Sequence, residues 1–253
     1  MILATTLAAT LGMVFGFDPL YFVFVGPAML LALWAQWKVK STYAMASRVP
    51  AQSGMSGAEA AHMLLQSYGI RDVGIEESHG FLSDHYDPKA KMLRLSHDVY
   101  HGHSVASLGI AAHEAGHAIQ HATGYAPLKF RNGLVGFAMV GGQFSWILIF
   151  AGFALGAAGT VAGKGFLLAG IGLFSLTVLF QLINLPVEFD ASKRAKDLLR
   201  SAGIVREGEE YGAMKRVLSA AAMTYVAATV AAAATLLYYL VRSGLLGGNN
   251  NRS

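Results

Sequence analysis

His113 and His117 stand four residues apart in AAHEAGHAIQH, and Glu114 follows directly after the first of them. On an α-helix, positions i and i+4 share one face about a turn apart, so the two imidazoles can hold one metal ion. A zinc ion there would lower the pKa of a bound water towards about 7. Glu114, beside the same face, would take the proton and later pass it to a leaving amine. The pattern is HExxH, and the chemistry it implies is zinc-assisted hydrolysis of a peptide bond.

A catalytic zinc takes three protein ligands and keeps one position open. The chain has no cysteine, so the third ligand is His, Asp or Glu. Two candidates stand out, His121 and Glu188. A straight helix places His121 about 12 Å along its axis from His113, at about 1.5 Å per residue. One ion cannot bridge that span. Glu188, in NLPVEFDASKRAKDLL, is the better candidate if the fold brings it to the same side of the molecule.

The elements that must do this are mostly apolar. Of 253 residues, 54% are hydrophobic and 13% charged, with mean hydropathy +0.45. Soluble domains carry roughly 25% charged residues. Four runs meet the rule of about 20 apolar residues per membrane span. They cover about residues 20–37, 134–158, 165–185 and 217–241. The middle two, parted near Gly163-Lys164, read as a tight hairpin, with Gly152 and Gly156 suited to close helix contact. The reading is a mainly α, integral membrane protein of about four transmembrane helices with a small cytosolic α+β, zincin-like insert.

In domain terms, residues 1–16 are an apolar extension without a basic signal-peptide n-region. Residues 17–40 are the first transmembrane helix, and 41–133 a cytosolic domain carrying HExxH. Residues 134–185 are the transmembrane hairpin, and 186–216 a cytosolic helix with the third ligand. Residues 217–242 are the last transmembrane helix, and 243–253 a polar tail. Segments 38–133 and 185–217 together hold sixteen of the nineteen Lys and Arg residues, which assigns both to the cytosol. Parity agrees, because a two-helix hairpin returns the chain to the side it left. Glu188 and HExxH therefore share a membrane face. Net charge is only +4 with no basic run, so nucleic-acid binding is set aside.

Within the insert, Ser56 and Glu59 form a capping box before a helix that ends at Gly69. Residues 74–77 are weakly strand-like, and LSDHYDPKAKMLRLS reads as a hairpin turning at Asp87-Pro88. Strand Met92 to Leu95 is a candidate edge for an added peptide strand. HDVYHGH, with His97, His101 and His103, reads as a polar loop that could line the site or bind a further metal. The HExxH helix opens near Ser104 and stops at Gly124, with Pro127 beyond it. Pro186 suits the first turn of a new helix or a kink. His85, Tyr86 and Arg194 are candidates for stabilising an oxyanion.

FDPLYFVFVGPAMLLALWAQWKVKSTY, LSDHYDPKAKMLRLS, AAHEAGHAIQH and LPVEFDASKRA together resemble the bacterial neutral zinc metallopeptidases of the YugP-like family, over about residues 17–241. The resemblance implies a membrane-embedded zinc peptidase of the bacterial plasma membrane, with His113, His117 and Glu188 on zinc and Glu114 as general base. More distantly the chain looks like membrane zincins in which an aspartate four residues after the third ligand orients a zinc histidine. Here that position is Ser192, a weaker acceptor, with Asp190 and Asp197 as possible substitutes at other spacings. The expected partners are a peptide or membrane-protein substrate and the lipid bilayer.

Two other classes compete. A membrane di-iron oxygenase is suggested by further HxxxH spacings, but all nine histidines lie between His62 and His121. A non-catalytic metal-binding scaffold or assembly factor fits the same residues. A transporter fits poorly, since the last three spans hold no Asp or Glu.

Overall fold

The computed structural model describes residues 18–80, 83–156 and 160–246. The apolar extension of residues 1–16, Leu82 and most of the polar tail lie outside them. Among the described residues, seven helices and three strands follow in order: α1 Pro19–Ala46, α2 Gly57–Ser67, β1 Gly74–Ser78, β2 His85–Asp87, β3 Met92–Ser96, α3 His97–Tyr100, α4 Val105–Ala122, α5 Ala126–Ala154, α6 Val161–Ser201 and α7 Glu209–Arg242. Helices α1, α5, α6 and α7 are long and apolar enough to cross a membrane.

The chain forms two compact units. The first gathers the described parts of Met1–Leu33, Arg131–Ile183 and Val226–Ser253, and is entirely helical. Its inner cluster is Ile149, Leu167, Ile171, Tyr238 and Tyr239, with Trp146 edge-on to Phe174 and Tyr239. Outward stand Val23, Leu30, Phe137, Met139 and Ile147, all more than half exposed, as helices bathed in lipid require. A Cβ on Gly152 would meet the Leu167 backbone nitrogen at 2.7 Å, so glycine sets the approach of α5 to α6. Gly156 plays another part: at φ +75° it ends α5 in the left-handed region. The connector therefore falls before Val161, earlier than Gly163-Lys164. Thr160 caps α6 by accepting from the Gly163 N–H, and Gly163 is already inside the helix against Gly152.

The second unit, Trp34–Phe130 with Asn184–Tyr225, contains every candidate site residue. Its core packs Leu64 and Leu65 of α2, Leu93 and Leu95 of β3, Leu108 and Ile119 of α4, Leu199 of α6 and Met214 of α7. The Ser56 capping box forms as its sequence spacing demands, and Ser104 caps α4 by accepting from Ser107 N–H. Gly124 closes α4 at φ +69°. Pro127 enters the first turn of α5, where a missing N–H costs nothing.

The sheet order is β1-β3-β2, with β1 parallel and β2 antiparallel to β3. The expected hairpin is thus present over residues 85–96. Strand β3, however, is central, with both edges paired, and cannot accept an added peptide strand. HDVYHGH is not all loop, because residues 97–100 make the helical turn α3. Nor does Pro186 open a new helix: α6 runs unbroken through it. Two carbonyls at this point of the helix also accept from side chains outside it. Tyr125 Oη–H reaches the Pro186 carbonyl at 3.4 Å and Gln120 Nε2–H the Val187 carbonyl at 2.8 Å. One continuous rod thus presents Glu188 and Ser192, a turn apart, on the same face.

Candidate metal centre

Helix α4 supplies His113, Glu114 and His117, and α6 supplies Glu188 and Ser192. The two backbones meet at Gly116, the fourth residue of HEAGH. A Cβ there would stand 2.9 Å from the Ala191 carbonyl oxygen, inside contact distance. Glycine at this position lets the residues flanking Ala191 reach the histidines.

The result is a buried cluster of three ligand atoms. Glu188 Oε2 lies 3.3 Å from His113 Nε2 and 3.6 Å from His117 Nε2. The two rings are 4.7 Å apart between centroids and nearly perpendicular. Glu188 is 2% exposed, and its Oε2 has no hydrogen-bond partner. Ligands about 2.1 Å from a shared tetrahedral ion stand about 3.4 Å from one another. The two nitrogen–oxygen separations match that spacing, and a buried carboxylate oxygen without a donor calls for a cation.

The far side of each ring is held. Gln120 Nε2 donates to the Val187 carbonyl and, at 2.9 Å, to Asp190 Oδ2, so its Oε1 is the atom facing His117 Nδ1 at 3.0 Å. An oxygen there accepts, which puts the ring proton on Nδ1 and the lone pair of Nε2 towards Glu188. Ser192 Oγ lies 3.2 Å from His113 Nδ1 and is placed to do the same. Both imidazoles then offer Nε2, the arrangement in which outer partners fix the tautomer of metal-binding histidines. Burial alone would lower the His117 pKa, yet Glu188, Glu114 and Gln120 outweigh it and raise the pKa above the ordinary value. The pocket draws positive charge.

Beside the cluster, His113 and Glu114 line a cleft of about 270 Å³. Its walls are Val39, Ile110, Val217, Leu218 and Ala221, with Tyr43, Tyr225, Thr224 and Asp84 as polar members. Asp84 accepts from the Ser96 N–H at 2.8 Å and from Ser96 Oγ. Burial, helped by the negative charge of Glu114, pushes its carboxyl above the usual range despite those bonds.

The other sequence candidates fall elsewhere. His121 Nδ1 bonds Tyr86 Oη at 2.8 Å and lines a different small pocket with it. His85 is exposed and bonds the Ser83 carbonyl. Arg194 donates to Asp190 Oδ2 at 2.6 Å and stacks over Tyr125. Asp190 thus braces Gln120 and does not itself meet the His113 or His117 ring. Gln120, Gly116 and Asp84 escaped the sequence reading. Only Gln120 left a usable signal, since it lies three residues after His117 on the same helical face.

Residues 21–244 match the family described as "Putative neutral zinc metallopeptidase". The Bacillus subtilis (strain 168) protein "Putative membrane protease YugP" is 44% identical over 208 residues, which is 82% of this chain and 89% of that protein. No solved structure matches.

Proposed function

This chain belongs to the neutral zinc metallopeptidase family, and on that premise we propose that it is a membrane-embedded zinc endopeptidase of the bacterial plasma membrane, acting on peptides or membrane proteins at the cytosolic side. The observation that carries the reading is the orphaned, buried Oε2 of Glu188 between two Nε2 atoms. His113, His117 and Glu188 would hold zinc, in the zincin manner. When bound, zinc supplies Lewis-acid polarisation of water and of the scissile carbonyl.

The remaining chemistry falls to the chain's own groups. Glu114, at the cleft wall and 8% exposed, takes a proton from the attacking water and returns it to the departing amine. Gln120 and Ser192 hold the imidazoles in the tautomer with Nε2 free. Tyr43 and Tyr225 are the phenols that line the cleft, placed nearer a developing oxyanion than His85, Tyr86 or Arg194, which do not line it. The apolar walls favour hydrophobic side chains and exclude water around them.

The test uses tag-free, detergent-purified protein, assayed for metal and for cleavage of casein or a model membrane substrate. Glu114→Gln should retain zinc and lose cleavage. Cleavage that survives the substitution removes Glu114 from the role. Zinc in wild type without cleavage of any substrate would instead favour the scaffold reading. Reporter fusions within residues 41–133 and 187–215 should report one compartment, the cytosol; opposite compartments would sink the proposed topology.

A further inference from the structure

A second group of two histidines and a glutamate lies in the same unit, outside the cleft. Glu77 comes from β1, and His97 and His101 from the helical turn α3 and its end. His97 Nδ1 is 2.7 Å from Glu77 Oε1, and His101 Nε2 is 3.0 Å from Glu77 Oε2. One ligand atom from each residue lies within 4.8 Å of the others. The imidazole centroids are 5.0 Å apart, close to the 4.7 Å of His113 and His117. The i, i+4 spacing, the two-nitrogen one-oxygen donor set and the origin on two separate elements all repeat the buried cluster.

We propose that Glu77, His97 and His101 form a second site, for a divalent transition metal of the zinc, nickel or copper type. Imidazole with a single carboxylate suits these ions, and no thiolate competes for them. Binding would need the two nitrogen–oxygen separations to open from hydrogen-bonding distance to about 3.4 Å. All three side chains are more than one-third exposed and can make that move. His97 and His101 also line an open groove of about 660 Å³ with Asp98, which leaves room for water on the remaining positions. Such an ion fastens the outer strand β1 to α3. That turn is itself tied to the start of α4, where Ser107 Oγ donates to the Asp98 carbonyl at 2.9 Å.

The experiment is zinc stoichiometry by equilibrium dialysis and elemental analysis of the tag-free full chain in detergent. Wild type should bind two equivalents. H97A/H101A should bind one, and Glu77→Gln, which keeps the shape of the side chain, should also drop to one. H113A/H117A should lose the other equivalent and keep this one, so the second site is read independently of the first. Two equivalents retained by H97A/H101A, or a single equivalent in wild type that H97A/H101A leaves untouched, would overturn the proposal.

Discussion

The two histidine–glutamate clusters share their ligand types and their helical spacing, and differ in burial. At Glu188 the carboxylate is sealed off, its Oε2 lacks a donor, and the nitrogens stand 3.3 and 3.6 Å away. At Glu77 the nitrogens close to 2.7 and 3.0 Å, and water reaches all three groups. An exposed carboxylate can satisfy itself with imidazole protons and solvent. A buried one cannot, and the separations stay at the spacing an ion requires. The outer nitrogens make the same point. Gln120 and Ser192 hold those of the buried pair, whereas among the described residues His97 Nε2 and His101 Nδ1 have no such support. The inner cluster already has the spacing and the outer contacts that an ion would need; the outer one would have to open to accept an ion.

The largest expected effect separates chemistry from binding at the inner site. Glu114→Gln should cut turnover by about 10²- to 10⁴-fold, the usual worth of a general base, with zinc content unchanged. Glu188→Ala should lose the inner equivalent of zinc, because two histidines remain there where a catalytic site takes three ligands. Elemental analysis alongside a cleavage assay distinguishes the two outcomes. Full zinc content in Glu188→Ala would break the comparison at its root.

Next come the groups behind the rings. Ser192→Ala and Gln120→Ala should each weaken zinc binding by about 10- to 100-fold, read by competition with a chelator. Gln120→Ala should also destabilise the fold, since it strips a donor from the buried Val187 carbonyl and from Asp190. Ser192→Thr keeps the hydroxyl and should restore much of what Ser192→Ala loses. Gly116→Ala forces a methyl against the Ala191 carbonyl, and about 1–3 kcal/mol of stability should go with it. A melting curve measures that loss, and unchanged melting would mean that α4 and α6 need not approach so closely.

Much of this was legible because it rests on local rules. HExxH, the Ser56 and Ser104 caps, the 82–96 hairpin and the four apolar runs follow from spacing that any chain obeys. Glu188 was named from the expected parity of the apolar runs, and it does lie beside His113 and His117. What lay hidden depended on partners distant in sequence. Nothing in HDVYHGH announces that β1 will bring Glu77 to it. Nothing in LPVEFDAS says that α6 continues through Pro186, or that Tyr125 and Gln120, more than sixty residues away, will bond its carbonyls there. Strand β3 read as an edge because pairing order is invisible until β1 and β2 are both placed. Gly116 passed as a filler between ligands, and its purpose shows only against the Ala191 carbonyl.

The smallest expected effect concerns the outer cluster, and its smallness is informative. Glu77→Gln in the presence of a chelator should leave the melting temperature where wild type has it, because exposed ion pairs contribute little. Zinc added beyond one equivalent should then raise wild-type melting and leave Glu77→Gln behind, since an ion that binds only the folded chain stabilises it by mass action. The divergence should grow with free zinc and be absent from H97A/H101A as well. Were wild type and both variants to respond alike to excess zinc, the exposed cluster would be an ordinary surface ion pair. The contrast with the buried site would then be one of binding against not binding, not of strong against weak.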